Sequence, residues 1–200
     1  MLALDEAGFL DALTELSLSE VEPLLRAAGR HGIAGIGEAM AARLTNAPGR
    51  PLLAVLAAIE MAGIGERLLE MSVEHANQRS QFGKPIGRFQ AVQQQLALMA
   101  EQVVLVRIAA QGACRYGVAP PVSAAAIAKS VASTAAPTIA GIAHAVHGAI
   151  GITAEFPLHR LTARLHALRM AHGSEGYWNA KLGAERVAFG SDTLSFLRSL

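Results

Sequence analysis

The amino-acid sequence predicts an all-α protein, a four-helix bundle with a short helical segment before it. The sequence pattern and the composition predict this fold class. Apolar residues recur at helical spacing in each long segment, no segment alternates as a strand would, and clusters of Gly and Pro separate the segments. Hydrophobic residues make up 52% of the 200 residues but aromatic residues only 4%, and such small aliphatic side chains suit closely packed helices.

The chain begins with three predicted short helices. Residues 4–16 have helical spacing, and Ser17 with Glu20 forms a capping box for a second helix over residues 18–28. A stretch interrupted by Gly leads to a third helix, which ends near Leu44.

The run from Thr45 to Gly49 is the clearest boundary signal in the chain, because Asn, Pro and Gly favour turns. We therefore expect two units. The first is a short helical N-terminal segment, residues 1–48, and the second is the main helical bundle, residues 49–200.

After this boundary, helical periodicity predicts two long helices, a third that is almost wholly apolar, a fourth rich in arginine and a last, shorter segment. Their approximate bounds are residues 50–78, 89–116, 122–146, a helix that includes Arg160, Arg164 and Arg169, and residues 174–187. A helix that is apolar on all sides must lie at the centre of a bundle, which places the third helix there.

Composition argues against several classes of protein. The formal charge of +1 gives no reason to expect a nucleic acid or another acidic polymer as partner. Cys114 is the only cysteine, so no internal disulfide is possible and a cytoplasmic location is expected. Acidic residues interrupt any signal-peptide pattern, and charged, Pro or Gly residues break the apolar windows before membrane-spanning length. The seven histidines form no compelling metal-ligand pattern.

The corner between the first two long helices concentrates cationic and flexible residues. They are Arg79, Phe82, Gly83, Lys84, Pro85, Gly87 and Arg88. Arg79 stands at a helix C-terminus, where a cation suits the dipole, whereas Arg88 stands at a helix N-terminus, where backbone N–H groups favour an anion. From these residues alone, the corner is either a capped helical hairpin with solvated basic residues or an anion site, such as a pyrophosphate site built from guanidinium groups.

The run RSQFGKPIGRFQAVQ, from Arg79 to Gln93, closely resembles the segment that joins the first two helices of the C-terminal domain of acyl-CoA dehydrogenases. The order of the helices is similar too, over residues 50–189. In that flavoprotein family the matching arginine and phenylalanine reach across a subunit interface to the FAD of a neighbouring chain. The resemblance therefore implies that Arg79 and Phe82 contact FAD, with Gln90 as a weaker third contact.

A second resemblance lies in AVHGAIGITAEFP, residues 145–157, where the family has a Gln-x-x-Gly-Gly-x-Gly segment. Ala145 replaces the glutamine, which contacts FAD in the family, and Ala149 replaces the second glycine. Gly148 remains, and the resemblance implies that it lets the backbone approach the cofactor closely. The alternative is a plain loop between two helices.

The catalytic base is where the sequence departs from the family. Family members oxidise the Cα–Cβ bond of an acyl-CoA, and a glutamate removes the α-proton while a hydride passes to the flavin. That glutamate follows the fourth helix in many members, where this chain has His172, or lies in the first long helix, where this chain has Leu53. Three alternatives stay open: His172 acts as the base, Glu175 moves into its place, or neither is catalytic. In the third case His172 is an ordinary loop residue and Glu175 suits the N-terminal dipole of the final helix.

Full family members also carry an N-terminal helical domain and a β-domain over the flavin, whereas the matched region begins near residue 50 here, so we expect the β-domain to be missing. The main hypothesis is a shortened acyl-CoA dehydrogenase-like subunit that helps to hold FAD across a subunit interface. A full-length partner would supply the base, an acyl-CoA would be the substrate, and an electron-transferring flavoprotein is the family's usual acceptor. The alternatives are a self-sufficient homo-oligomeric flavoenzyme and a helical assembly protein that binds no FAD.

Overall fold

The structure is a computed structural model that describes residues 5–200. The helices, in chain order, are α1 (Ala12–Glu15), α2 (Leu18–Arg30), α3 (Ile36–Ala41), α4 (Arg50–Gln78), α5 (Gln90–Cys114), α6 (Val122–His147), α7 (Leu158–Met170), α8 (Glu175–Ala188) and α9 (Thr193–Ser199). Short 3-10 turns cover Phe9–Asp11, Ile86–Arg88 and Gly148–Ile152. The all-α prediction is confirmed, and the predicted bounds of α4, α5, α6 and α8 differ from these by two residues at most.

The N-terminal helices agree less well with the prediction. Instead of one helix over residues 4–16, the 3-10 turn Phe9–Asp11 leads into the four-residue α1, and Leu16 is extended; residue 4 lies outside the described residues. The capping box before α2 is confirmed, because the Glu20 N–H donates to Ser17 Oγ and the Ser17 N–H donates to the Glu20 carboxylate at 2.9 Å.

α6 lies at the centre of the bundle, as its composition predicts. It contacts α4, α5, α7 and α8, and Lys129 is the only Lys, Arg, Asp or Glu in it. Its buried surface consists mostly of small side chains, among them Ala125, Ala128, Ala132 and Ala136. Small side chains let the neighbouring helices approach closely, so that the core is dense although it contains few aromatic rings.

The corner between α4 and α5 contains two strands that the sequence did not predict. β1 (Ser80–Gln81) and β2 (Lys84–Pro85) pair antiparallel. The sequence shows no alternating pattern here, and the all-α fold class is unchanged by so short a pair. Two-residue strands are too short to show the alternation by which strands are recognised in a sequence.

The N-terminal segment packs against the bundle through a glycine contact between α2 and α4. A Cβ atom at Gly63 would lie 1.9 Å from the carbonyl oxygen of Arg26, and one at Gly29 would lie 2.3 Å from that of Glu60. Only glycine permits backbones to approach so closely. An ion pair between Arg26 and Glu66 at 2.9 Å spans the same two helices. The linker between α3 and α4 lies where the sequence predicts a boundary, but the division into two units stays a prediction.

Two helical stretches of the described residues are long and apolar enough to cross a membrane, by length and composition alone. They are Gln90–Cys114 and Val122–Ile152, each with a mean hydropathy of 1.3. The expectation that every apolar window is interrupted before this length is therefore wrong. Half of the second window is buried inside the bundle, and the central helix of a globular bundle passes the same test. Two such helices are weak evidence for a membrane.

Candidate functional site

The two segments that resemble family motifs meet at one cavity of about 560 Å³. The C-terminal end of α4, the β1–β2 hairpin, the start of α5 and the turn after α6 all contribute to its lining. Arg79 and Phe82 line it from the first motif, and Ala145, Gly148 and Ala149 line it from the second. The fold therefore brings together predicted contacts that lie far apart in the sequence.

The hairpin presents Phe82 at its tip in a constrained conformation. Phe82 and Gly83 have positive φ angles of 51° and 78°, as the two central residues of a type I′ hairpin turn require. Glycine adopts this conformation readily, but phenylalanine does so at a cost in strain. The Phe82 side chain is 92% exposed, and its ring meets that of Phe89 edge to face, with 6.2 Å between the centroids. The hairpin thus holds an aromatic surface open at the cavity.

Three cations lie around the hairpin, and none of them pairs with a carboxylate of residues 5–200: Arg79, Lys84 and Arg88. Lys84 instead places its Nζ 4.3 Å from the centroid of the Phe89 ring. Of the three, Arg79 alone lines the cavity. A guanidinium group has five N–H donors, so Arg79 can bind an oxyanion through more than one hydrogen bond.

Gly148 ends α6 with φ 64° and ψ −143°, a region that only glycine adopts without strain. No other part of the protein lies within 4 Å of the position that a Cβ atom would take. The requirement for glycine therefore comes from the backbone angle and not from packing.

Replacing Gly148 with alanine is expected to lower the free energy of unfolding by about 1–3 kcal/mol through backbone strain. Urea denaturation of the variant measures this effect. Gly141→Ala is the matched control, since Gly141 lies inside α6 and also has open space around its Cβ position; equal stability of both variants would contradict the prediction.

Beside Arg79 the cavity is lined by two stacked histidines, His75 and His147. Their ring centroids are 4.5 Å apart, with 27° between the planes. Burial lowers the pKa of His75, and the nearby charges of His147 and Arg79 lower it further. Burial is also the main cause that lowers the pKa of His147, which is 5% exposed. A lowered pKa favours the neutral form of both rings.

The predicted contacts and the lining of the cavity agree in part. Gln90 is exposed at the start of α5 and does not line the cavity, whereas Gln81 and Gln95 do. The two histidines were not predicted as lining residues. The only signal for His75 was its position four residues before Arg79, in the last turn of α4. The role of Gln90 as a cofactor contact stays a prediction.

The candidate catalytic residues do not line this cavity. His172 and Glu175 follow the C-terminal end of α7, whereas the cavity lies near its N-terminal end. α7 has 13 residues, which corresponds to about 20 Å. The chain therefore has two separate regions that resemble family sites, near opposite ends of one helix.

A buried lysine supports the turn that carries His172. Lys129 Nζ donates to the carbonyl oxygens of Arg169 at 2.8 Å and Gly173 at 2.9 Å, and to Ser133 Oγ at 2.9 Å. His172 itself has a positive φ of 58°, and its Nε2 lies 3.6 Å from Glu38 Oε1 of α3. The turn is therefore held from both α6 and the N-terminal segment.

Glu175 is already engaged. Arg169 donates to both carboxylate oxygens of Glu175, and these hydrogen bonds are the largest of the causes that lower the pKa of Glu175. A carboxylate with a lowered pKa is a weak base, and it would have to leave Arg169 to reach a substrate. The arrangement favours Glu175 as a structural residue at the start of α8, although its catalytic role stays untested.

Comparison with known proteins gives consistent matches. The family described as "Acyl-CoA dehydrogenase, C-terminal domain" matches residues 49–188. Acyl-CoA dehydrogenase IpdE2 of Mycobacterium tuberculosis is 39% identical over 113 residues, which are 56% of this chain and 35% of the relative. The chain thus spans about a third of that protein.

Solved structures show the same fold. The ChsE4–ChsE5 complex from Mycobacterium tuberculosis has a TM-score of 0.67 at 29% identity, over 72% of this chain and 39% of the matched chain. Butyryl-CoA dehydrogenase from Megasphaera elsdenii has a TM-score of 0.62 at 30% identity, over 69% of this chain and 37% of the matched chain. Because the family match covers most of the sequence, this chain belongs to the acyl-CoA dehydrogenase family and contains its C-terminal helical domain.

Proposed function

We propose that this chain is a subunit of an acyl-CoA dehydrogenase assembly and helps to hold FAD across a subunit interface. The observation that carries the proposal is the convergence of both motif segments on one cavity, where the Arg79 guanidinium has no carboxylate partner among residues 5–200. Proteins of this family generally use FAD.

The groups around the cavity fit parts of such a cofactor. Arg79 would bind the pyrophosphate through charge-assisted hydrogen bonds. The exposed ring of Phe82 would stack on or pack against the adenosine, and Gly148 would let the backbone come close to the ligand without a side chain between them. FAD, when bound, supplies the hydride acceptor for oxidation of the Cα–Cβ bond of an acyl-CoA.

We assign the catalytic base to a partner chain of the same family. The pairing of Glu175 with Arg169 supports this assignment, because it leaves the position without a free carboxylate. The similarity to the ChsE4–ChsE5 complex supports an assembly of unlike chains. We further propose that the assembly is cytoplasmic and passes electrons to an electron-transferring flavoprotein.

Replacing Arg79 with alanine tests the cofactor site. The variant should bind FAD about 10- to 100-fold more weakly, since a hydrogen bond to a charged group is worth about 1.5–3 kcal/mol. The measurement is the flavin absorbance that stays with the protein after gel filtration, for the chain alone and with a co-expressed full-length relative. Arg88→Ala is the control, because Arg88 is exposed and does not line the cavity. Equal flavin retention by both variants would refute the assignment.

A second candidate is a self-sufficient enzyme in which His172 is the base. The observation in its favour is the strained backbone of His172, held at φ 58° beside Glu38, since strain of this kind accumulates at functional sites. Turnover of an acyl-CoA by the purified chain with added FAD, abolished by His172→Gln, would select this candidate. A soluble oligomer that retains no flavin under any condition would instead indicate a helical assembly protein.

A further inference from the structure

Two histidines, His75 and His147, form the wall of the cavity next to Arg79, and they differ in how freely they can take up a proton. His147 Nδ1 lies 2.8 Å from the carbonyl oxygen of Ala143, so Nδ1 carries a hydrogen and donates it. Nε2 of the same ring is buried and makes no hydrogen bond of normal geometry among the described residues, although the backbone of Met71 lies close enough to act on the pKa of His147. His147 also packs against Phe156, with 5.2 Å between the ring centroids. Its ring is thus fixed in place from two sides and cannot turn to solvent.

His75 is the more accessible of the two rings. It is half-buried, stacks on the fixed ring of His147, and lies in the last turn of α4, four residues before Arg79; both side chains line the same cavity. A proton on His75 would place a second cation beside the Arg79 guanidinium. Without a ligand these two charges repel each other, whereas an anion between them would attract both.

Other charged or titratable groups lie near this pair, and Glu74 is an acidic residue directly beside His75 in the chain. On α4, Glu74 accepts a hydrogen bond from Gln78 at 3.0 Å, and Arg67 pairs with Glu70. On α6, His144 is hydrogen-bonded to the hydroxyl group of Thr162 at 2.9 Å. The hairpin adds Lys84, and the turn before α7 contains the exposed Glu155, while His159 is hydrogen-bonded to the carbonyl oxygen of Phe156 at 2.9 Å.

We propose that His75 is a second phosphate contact of this cavity, and that a pyrophosphate ligand binds together with one proton, which His75 carries. This inference rests on the proposed function, since it names the chemistry by which the same cavity would hold FAD. The ligand class is a nucleotide with a diesterified pyrophosphate, recognised by one permanent cation and one that forms on binding. Affinity should therefore rise as the pH falls, up to about tenfold per pH unit for a single linked proton.

Isothermal titration calorimetry with FAD and with ADP-ribose, from about pH 6 to pH 8, tests the inference. Both ligands have a pyrophosphate that does not titrate in this range. Two buffers with different heats of ionisation give the number of protons taken up. We expect uptake that approaches one proton and an affinity that increases toward low pH. In His75→Gln, the uptake should disappear and the affinity should become independent of pH.

His166→Gln is the matched control, because His166 is exposed on α7 and does not line the cavity; it should keep the pH dependence of the unchanged chain. Binding that is strong but independent of pH in the unchanged chain would overturn the role of His75 and leave the cofactor site intact. Absence of binding at every pH, for the chain alone and in complex with a full-length relative, would overturn both. A loss of affinity in His75→Gln with an unchanged pH profile would show a packing role only and would also overturn the inference.

Discussion

Replacing Lys129 with alanine is expected to lower the free energy of unfolding by about 3–5 kcal/mol. The side chain is fully buried, so its removal leaves a cavity in the centre of the bundle. It also leaves the carbonyl oxygens of Arg169 and Gly173 without the donor they have now. Chemical denaturation measures the loss, and the turn that carries His172 should become more accessible to proteolysis.

Lys129→Met separates the two causes, because methionine fills most of the volume but donates no hydrogen bond. Its effect should be smaller, about 1–3 kcal/mol for the unsatisfied polar groups. If alanine and methionine were equally destabilising, the cavity would contribute nothing. If neither variant were destabilised, the buried hydrogen bonds of Lys129 would have no net value for the fold.

The difference in the free energy of unfolding between the unchanged chain and Lys129→Met should also depend on pH. Burial lowers the pKa of Lys129 to about 8, whereas an unfolded lysine titrates near about 10.4. Between these values the unfolded chain binds more protons than the folded one, so the free energy of unfolding should rise with pH. Relative to Lys129→Met, the unchanged chain should gain about 2 kcal/mol between pH 8 and pH 10. A constant difference between the two proteins would contradict the burial of a charged amine.

Replacing Gly63 with alanine is expected to lower the free energy of unfolding by about 3 kcal/mol, the upper end of the range for overpacking. The new Cβ atom would lie 1.9 Å from the carbonyl oxygen of Arg26 and 2.9 Å from the backbone nitrogen of Arg30. Both contacts are backbone atoms inside α2, so no side chain can rotate away. α2 would have to move off α4, which would also lengthen the ion pair between Arg26 and Glu66.

Gly112→Ala is the matched control for this substitution. Gly112 lies inside α5, is exposed, and has nothing within 4 Å of its Cβ position. Alanine there should stabilise the protein by about 0.5–1 kcal/mol through helix propensity. Denaturation of the two variants side by side gives the contrast, and a Gly63→Ala protein as stable as the unchanged chain would mean that α2 is not held as closely as described.

Local chemistry explains what the sequence could predict. The bounds of α4 are marked by Pro51 at its start and Gly83 shortly after its end, and Ser17 with Glu20 marks the start of α2; each signal acts within a few residues. Arg79 and Gly148 were each predicted from a separate sequence motif. The structure shows that they line one cavity, and their roles as cofactor contacts stay predictions.

Features that depend on the register between helices could not be predicted. The stack of His75 on His147 joins the ends of α4 and α6, and no local pattern encodes it. The role of Lys129 is similar, since the sequence shows one charge in an apolar helix but not the two carbonyl oxygens of another element that it meets. The prediction for the N-terminal region was wrong for a different reason. Helical spacing over residues 4–16 is compatible both with one continuous helix and with a 3-10 turn followed by a short helix, and tertiary packing decides which of the two forms.

The conformation of the hairpin tip affects the rate at which the proposed ligand would bind. Phe82 and Gly83 are confined to the left-handed region by the pairing of β1 with β2, so the loss of conformational entropy is incurred when the chain folds, not when a ligand arrives. A tip that is already ordered needs no slow rearrangement after collision. We therefore expect the association rate at this corner to be set by diffusion and charge steering, and differences in affinity among hairpin variants to appear mainly in the dissociation rate.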